Sequence, residues 1–242
     1  MATEIKFGTD GWRAIIAEDY TFENVRICAQ AVANYLMDTK VADKGLVIGY
    51  DTRFASEDFA AATAEVVAGN DIRVYLCDRA APTPTISYAI LEKKAGGAVV
   101  ITSSHNPATW NGFKVKPEYA GSASPEIIAI LEKNIAEIQA GQRSVKQAKL
   151  STALYENRVI KFNPAPVYLK QLASLVDVEG IKRSGITVAV DAMFGAGMGY
   201  FPAILAGGNT RVVELNGVRN PLFPGMHNPE PIAHNLAALT AG

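Results

Sequence analysis

Between residues 21 and 38 the apolar positions Phe22, Val25, Ala29, Val32 and Leu36 recur at three- and four-residue steps, which predicts a helix capped by Thr21. The spacing then changes. Gly45-Leu46-Val47-Ile48-Gly49-Tyr50 is a short apolar run ending at Asp51, the pattern of a strand buried on both faces. Ser56 to Gly69 returns to helical spacing, with alanines small enough to lie flat on a sheet and a glycine to stop it. Ile72 to Leu76 predicts a strand, and Thr83-Pro84 an N-cap and first-turn proline for a helix running towards Lys94. Ala98 to Thr102 is a second buried strand, Gly112 to Lys116 a further one, and Ser124-Pro125 opens a helix to about Ala140.

Strands alternating with helices over short links predict a parallel sheet covered on both sides. Gly141 to Asn163 is polar and weakly periodic, and a linker is placed at 146–163, between a first domain at 1–145 and a second at 164–242. In the second, helices are expected over Pro164–Leu175, Gly197–Leu205 and Pro231–Leu239, and strands over Ile186–Asp191 and Thr210–Leu215. Two strands are few for an independent sheet. The expected fold is α/β: a three-layer α/β/α domain with a mainly parallel mixed sheet, followed by an incomplete second α/β domain of the same type.

Composition narrows the function classes. The chain of 242 residues is 49% hydrophobic and 19% charged, with a formal net charge of −1 and scattered basic residues. That balance argues against nucleic acid as the main partner. The N-terminus lacks the apolar core of a secretory signal, and the longest apolar runs are too short to cross a bilayer. Cys28 and Cys77 sit among apolar neighbours and read as buried, reduced thiols. A cytoplasmic protein with no membrane partner is the expectation.

In open parallel sheets, ligands bind beyond the carboxyl ends of the strands. Two polar clusters fall there, Asp51-Thr52-Arg53 and Ser103-Ser104-His105-Asn106. Ser104 is a candidate nucleophile with His105 beside it to orient or deprotonate; the segment also reads as a polar turn bonding its own backbone. Asn111-Gly112 is a tight-turn signal that would fold the chain back and bring Lys114 near Ser104, although a solvated lysine fits as well. Phe7-Gly8-Thr9-Asp10-Gly11-Trp12-Arg13 offers glycines for close backbone approach and an arginine fork suited to phosphate, or simply a surface turn. Gly195-x-Gly197-x-Gly199 suggests a dinucleotide fingerprint, but its third glycine falls too early. Ser104 lacks the G-x-S-x-G elbow of many serine hydrolases.

Taken together, Phe7 to Arg13, Gly49-Tyr50-Asp51-Thr52-Arg53, Thr102 to Pro107 and Asn111-Gly112-Phe113-Lys114 resemble the α-D-phosphohexomutase superfamily. Val190 to Gly197 and Asn228-Pro229-Glu230-Pro231 resemble segments of its second domain. The resemblance implies an isomerase that interconverts hexose 1-phosphate and hexose 6-phosphate, of glucose or mannose, through a phosphoserine and a hexose 1,6-bisphosphate. It implies that Ser104 carries the phosphoryl group, Lys114 is general acid/base, and His105 belongs to the catalytic loop. Arg13, Asn106 and Arg53 are then substrate-binding, Arg53 as a support near the phosphoserine. A phosphoglucosamine mutase is the alternative within the class; a non-catalytic sugar-phosphate or dinucleotide-binding module is the alternative outside it.

The superfamily also implies one Mg2+, held by the phosphate on Ser104 and by an Asp-Gly-Asp-x-Asp-Arg loop. That loop is not in the sequence. Members are longer and have four domains, so the chain reads as the front portion of such an enzyme, with weak metal affinity and little turnover by itself. The preferred hexose phosphate and the oligomeric state are not readable from the sequence.

Overall fold

The computed structural model describes residues 4–8 and 11–241. Thr9 and Asp10 of the first glycine-bearing motif lie outside the described residues. The elements of the first unit are β1 (Trp12–Ile15), α1 (Phe22–Asp38), β2 (Leu46–Tyr50), α2 (Ser56–Gly69), β3 (Val74–Cys77), α3 (Thr83–Lys93), β4 (Gly97–Ile101), β5 (Trp110–Pro117), α4 (Pro125–Gln139), α5 (Leu150–Tyr155) and β6 (Val159–Phe162). The second unit contains α6 (Ala165–Leu175), α7 (Val178–Arg183), β7 (Thr187–Asp191), α8 (Tyr200–Leu205), β8 (Arg211–Leu215) and α9 (Ala237–Thr240).

The first sheet runs β1-β5-β4-β2-β3-β6. Its β4-β2-β3-β6 portion is parallel, and β5 pairs antiparallel with both β4 and β1. This is the mainly parallel mixed sheet expected. Alternation along β4 explains the unbroken apolar run: Val99 and Ile101 join the core under α1, α2 and α4, while Ala98 and Val100 join the core under α3. All five β4 residues are buried. Thr21 caps α1, accepting from the Asn24 N–H, and Ser124 caps α4, accepting from Ile127 N–H.

Several local expectations are corrected. Pro82, not Thr83, precedes the first turn of α3, so Thr83 and Pro84 are both helical. The stretch placed as a linker at 146–163 contains α5 and β6, and β6 pairs with β3 from Val74↔Val159 to Cys77↔Phe162 as the edge of the first sheet. As an edge strand of only four residues it is covered on one flank: Val159 is buried, whereas Ile160 and Lys161 are exposed. The helix expected over Pro231–Leu239 is reduced to α9; residues 229–232, with Pro229 and Pro231, are irregular, and 233–236 form turns. The second sheet is the pair β7-β8, parallel from Thr187↔Arg211 to Asp191↔Leu215. Among the described residues no helix is long and apolar enough to cross a membrane, and both cysteines are free and buried.

Candidate active site

β2 and β4 are parallel neighbours, so the chain leaves both at the same edge of the sheet, where Asp51 N–H still bonds the Ile101 carbonyl at 3.0 Å. The two polar clusters noted in the sequence therefore meet. Arg53 is the hub between them. Its guanidinium is 1% exposed. Nη1 donates to the carbonyls of Pro107 (2.8 Å) and Trp110 (3.1 Å), and Nη2 to those of Ser104 (2.9 Å) and Asn106 (2.7 Å). Nε faces Asp51 Oδ2 at 3.3 Å. A buried cation is tolerable only with such compensation. Burial pushes the Arg53 pKa below the usual guanidinium value, Asp51 opposes that shift, and the nearby positive charge of Arg13 adds to it.

Asp51 is itself fixed, accepting from Arg53 N–H at 3.0 Å and from Ser56 Oγ at 2.8 Å. The Ser56 hydroxyl accepts in turn from Asn111 Nδ2 at 2.9 Å. Arg53 thus supports the loop rather than reaching out to a ligand, which corrects its grouping with substrate-binding residues.

The loop so held presents Ser104 to solvent. Ser104 adopts φ 56°, a left-handed conformation uncommon outside glycine. Its N–H donates to Thr102 Oγ1 at 3.1 Å. Its Oγ lies 3.4 Å from His105 Nδ1, long for a hydrogen bond. The other ring nitrogen of His105, Nε2, is 3.1 Å from Glu230 Oε1 in the second unit. Arg13 Nη1 donates to Asn106 Oδ1 at 2.9 Å, tying β1 to the same loop.

The turn expected to carry Lys114 back towards Ser104 is not formed, and Lys114 is not among the residues lining the cavity over Ser104. Asn111-Gly112 is not a turn; both residues lie inside β5, with Asn111 Oδ1 accepting from Gly112 N–H at 2.8 Å. The reversal occurs before it, where Trp110 N–H bonds the Pro107 carbonyl at 3.0 Å. Gly112 is needed for close approach. A Cβ there would fall 2.5 Å from the Thr102 carbonyl oxygen and 3.1 Å from Arg13 Cγ. The register opposes Arg13 to Gly112 and Val100 to Lys114, so Arg13 and Lys114 share one face of the sheet. Lys114 is buried at 7% exposure and borders a small recess with Gly11 and Ser122.

A cavity of about 610 Å³ opens over Ser104 and His105. Its second wall comes from the other unit: the turn after β7 from Ala192 to Gly197, Phe223, and the segment 229–232. That volume lies within the range of small-molecule sites.

Of the residues singled out in the sequence, Ser104, His105 and Arg53 line this cavity, Arg13 bonds Asn106 beside it, and Lys114 borders a separate recess. Glu230, Phe223 and Arg219 meet the same region from the second unit. Glu230 lies in the Asn-Pro-Glu-Pro segment noted in the sequence, but nothing local marks Phe223 or Arg219, which become significant only when the second unit meets the first.

Comparison with known proteins now decides the family. The model of phosphoglucomutase/phosphomannomutase α/β/α domain I matches residues 4–142, and that of α/β/α domain II matches residues 166–241. The chain belongs to the phosphoglucomutase/phosphomannomutase family. It is 30% identical over 216 residues to a phosphoglucomutase of Komagataeibacter xylinus, covering 85% of this chain and 39% of that protein. It is 29% identical over 233 residues to a phosphoglucosamine/phosphogalactosamine mutase of Sulfurisphaera tokodaii, covering 95% of this chain and 48% of that protein. A crystallised candidate phosphomannomutase from Thermus thermophilus superposes with a TM-score of 0.85 at 30% identity, covering 100% of this chain and 52% of that chain. This family member thus spans about half the length, or less, of those relatives.

Proposed function

We propose that the chain carries the phosphoryl-accepting portion of a phosphohexomutase, with Ser104 as the covalent carrier between hexose 1-phosphate and hexose 6-phosphate. The observation that carries this reading is the exposed, left-handed Ser104 at the carboxyl end of β4, in a loop whose carbonyls are gathered by buried Arg53. With those carbonyls facing inward onto Arg53, the exposed hydroxyl of Ser104 is left to meet the cavity.

In the forward half-reaction a free sugar hydroxyl attacks the phosphorus on Ser104. The new P–O bond forms to the sugar, the P–Oγ bond breaks, and the bisphosphate results. The sugar proton passes to a base, for which Lys114 is the family's candidate; its shared sheet face with Arg13 supports that role. The bisphosphate turns over, and Ser104 Oγ takes back the other phosphoryl group. His105 would supply a proton to Oγ as the P–Oγ bond breaks and take it back in the return step, when Lys114 returns a proton to the departing sugar oxygen; its Nδ1 at 3.4 Å from Oγ and its Nε2 at 3.1 Å from Glu230 support that role.

The family implies Mg2+. Among the described residues no group of three or more His, Cys, Asp or Glu assembles that could hold a metal, so the donors present do not fit the oxygen-rich shell Mg2+ requires. No step above is routed through it.

The test is covalent. Incubated with glucose 1,6-bisphosphate, the chain should gain the mass of one phosphoryl group on Ser104, and Ser104→Ala should gain none. Uptake at full extent by the Ala variant would refute the assignment. The Sulfurisphaera tokodaii relative favours a second reading, a hexosamine phosphate as substrate. Comparing glucose, mannose and glucosamine bisphosphates as donors separates the two.

A further inference from the structure

We propose that Arg219 and Phe223 are positioning residues through which docking of the second unit sets the shape of the Ser104 loop, an inference that rests on Ser104 being the reactive group. Residues 51–53 are held from two sides. From within, the Arg53 guanidinium gathers the carbonyls of Ser104, Asn106, Pro107 and Trp110. From without, Arg219 Nε donates to the Thr52 carbonyl at 3.2 Å, and its Nη2 donates to the Arg53 carbonyl at 3.1 Å and to Glu57 Oε2 at 2.9 Å. Thr52 Oγ1 adds a bond in the opposite sense, donating to the Phe194 carbonyl at 2.8 Å.

Phe223 closes the remaining side. Its ring centroid lies 5.2 Å from Arg53 Cζ, and it is 4% exposed in a unit with few buried side chains. The ring is aimed by its own turn, with Phe223 N–H bonding the Asn220 carbonyl at 3.2 Å and Met226 N–H bonding the Phe223 carbonyl at 3.0 Å. An aromatic face over a guanidinium excludes water that would otherwise compete for the donors, and it strengthens the bonds Arg53 makes in the dry interior. The line of force is therefore continuous: Arg219 fixes the backbone of Arg53, Phe223 covers its side chain, and the side chain shapes the loop that presents Ser104. None of these contacts is made to the Ser104 side chain itself.

Hydrogen exchange of the chain, followed by mass spectrometry over 102–110, tests this without needing turnover. Arg219→Gln and Phe223→Leu should each raise exchange in that segment about tenfold, the scale of one lost charge-assisted hydrogen bond. Segment 97–101 should keep its protection, and Arg219→Lys should restore only part of the effect, since an ammonium lacks the planar fork. Faster exchange confined to 51–57 and 216–226, with 102–110 unchanged, would show that these residues merely glue the units together and would overturn the proposal. Should Phe223→Leu unfold the second unit, Arg219→Gln decides alone, because it removes no core volume. If the wild-type chain takes up no phosphoryl group the functional reading falls, while the exchange result still stands or fails by itself. Slower uptake in Arg219→Gln with unchanged exchange would likewise overturn positioning, in favour of direct contact with substrate.

Discussion

The two sheets of this chain solve the same problem with different means. In the first, β4 and β2 are buried on both faces by helices, and Val47, Ile48, Val99 and Ile101 are all at most 1% exposed. In the second, β7 and β8 contain no fully buried residue, and α6 has none either. The second unit also leans on the first: buried Phe223 packs over Arg53, and the exposed Arg219 and half-buried Phe194 bond the loop after β2. A sheet with a covered core can hold a strained residue such as Ser104. A sheet without one borrows order from its neighbour and, in return, supplies the other wall of the cavity.

The first sheet's loop is most sensitive at Arg53. Arg53→Met leaves four carbonyls and Asp51 without their partner, and should cost about 3–5 kcal/mol in urea unfolding of the first unit. Next comes core volume. Ile101→Ala should cost about 3 kcal/mol, whereas Val188→Ala in half-exposed β7 should cost about 1 kcal/mol or less, so equal losses would refute the contrast between the sheets. Glycine replacement sharpens it further: Gly112→Ala meets backbone and should cost about 1–3 kcal/mol, while Gly197→Ala meets nothing within 4 Å and should shift stability by less than about 1 kcal/mol.

The smallest effect is alkaline. Burial raises the Cys28 pKa and, with Asp78 adding to it, pushes Cys77 up to about 12 from an ordinary 9.0. Above that ordinary value the unfolded chain releases thiol protons that the folded chain retains. This contribution to stability is full below pH 9 and declines as pH rises, by no more than about 1.4 kcal/mol per pH unit for each thiol. The double variant Cys28→Ala and Cys77→Ala should flatten the decline measured by urea unfolding between pH 9 and 10. An unaltered slope would show that the thiols do not contribute.

Legibility in the sequence followed burial. α1, β2, α2, β4 and α4 were read nearly to their ends because a helix or strand with one covered face, or two, writes its period into the chain. β1 and β6 were missed as edge strands, short and half-covered. The strand-end clusters containing Arg53 and Ser104 were visible as polar residues directly after apolar runs. A support role for Arg53 came only from the resemblance; which four carbonyls its donors gather shows only in the structure. Asn111-Gly112 misled, since a turn dipeptide was used to let Arg13 and the Thr102 carbonyl approach a strand.

By itself the sequence determined the alternation of elements, the six-residue loop motif with its serine, and the family likeness, because these rest on local periodicity and on contiguous residues. Only the tertiary structure decided that one buried guanidinium shapes that loop, that Lys114 shares a face with Arg13 by strand register, and that Arg219, Phe223 and Glu230 meet the site from a distant segment. Contacts between residues more than a hundred positions apart leave no periodic trace in the chain; they exist only once the backbone has brought their donors and acceptors within hydrogen-bonding distance.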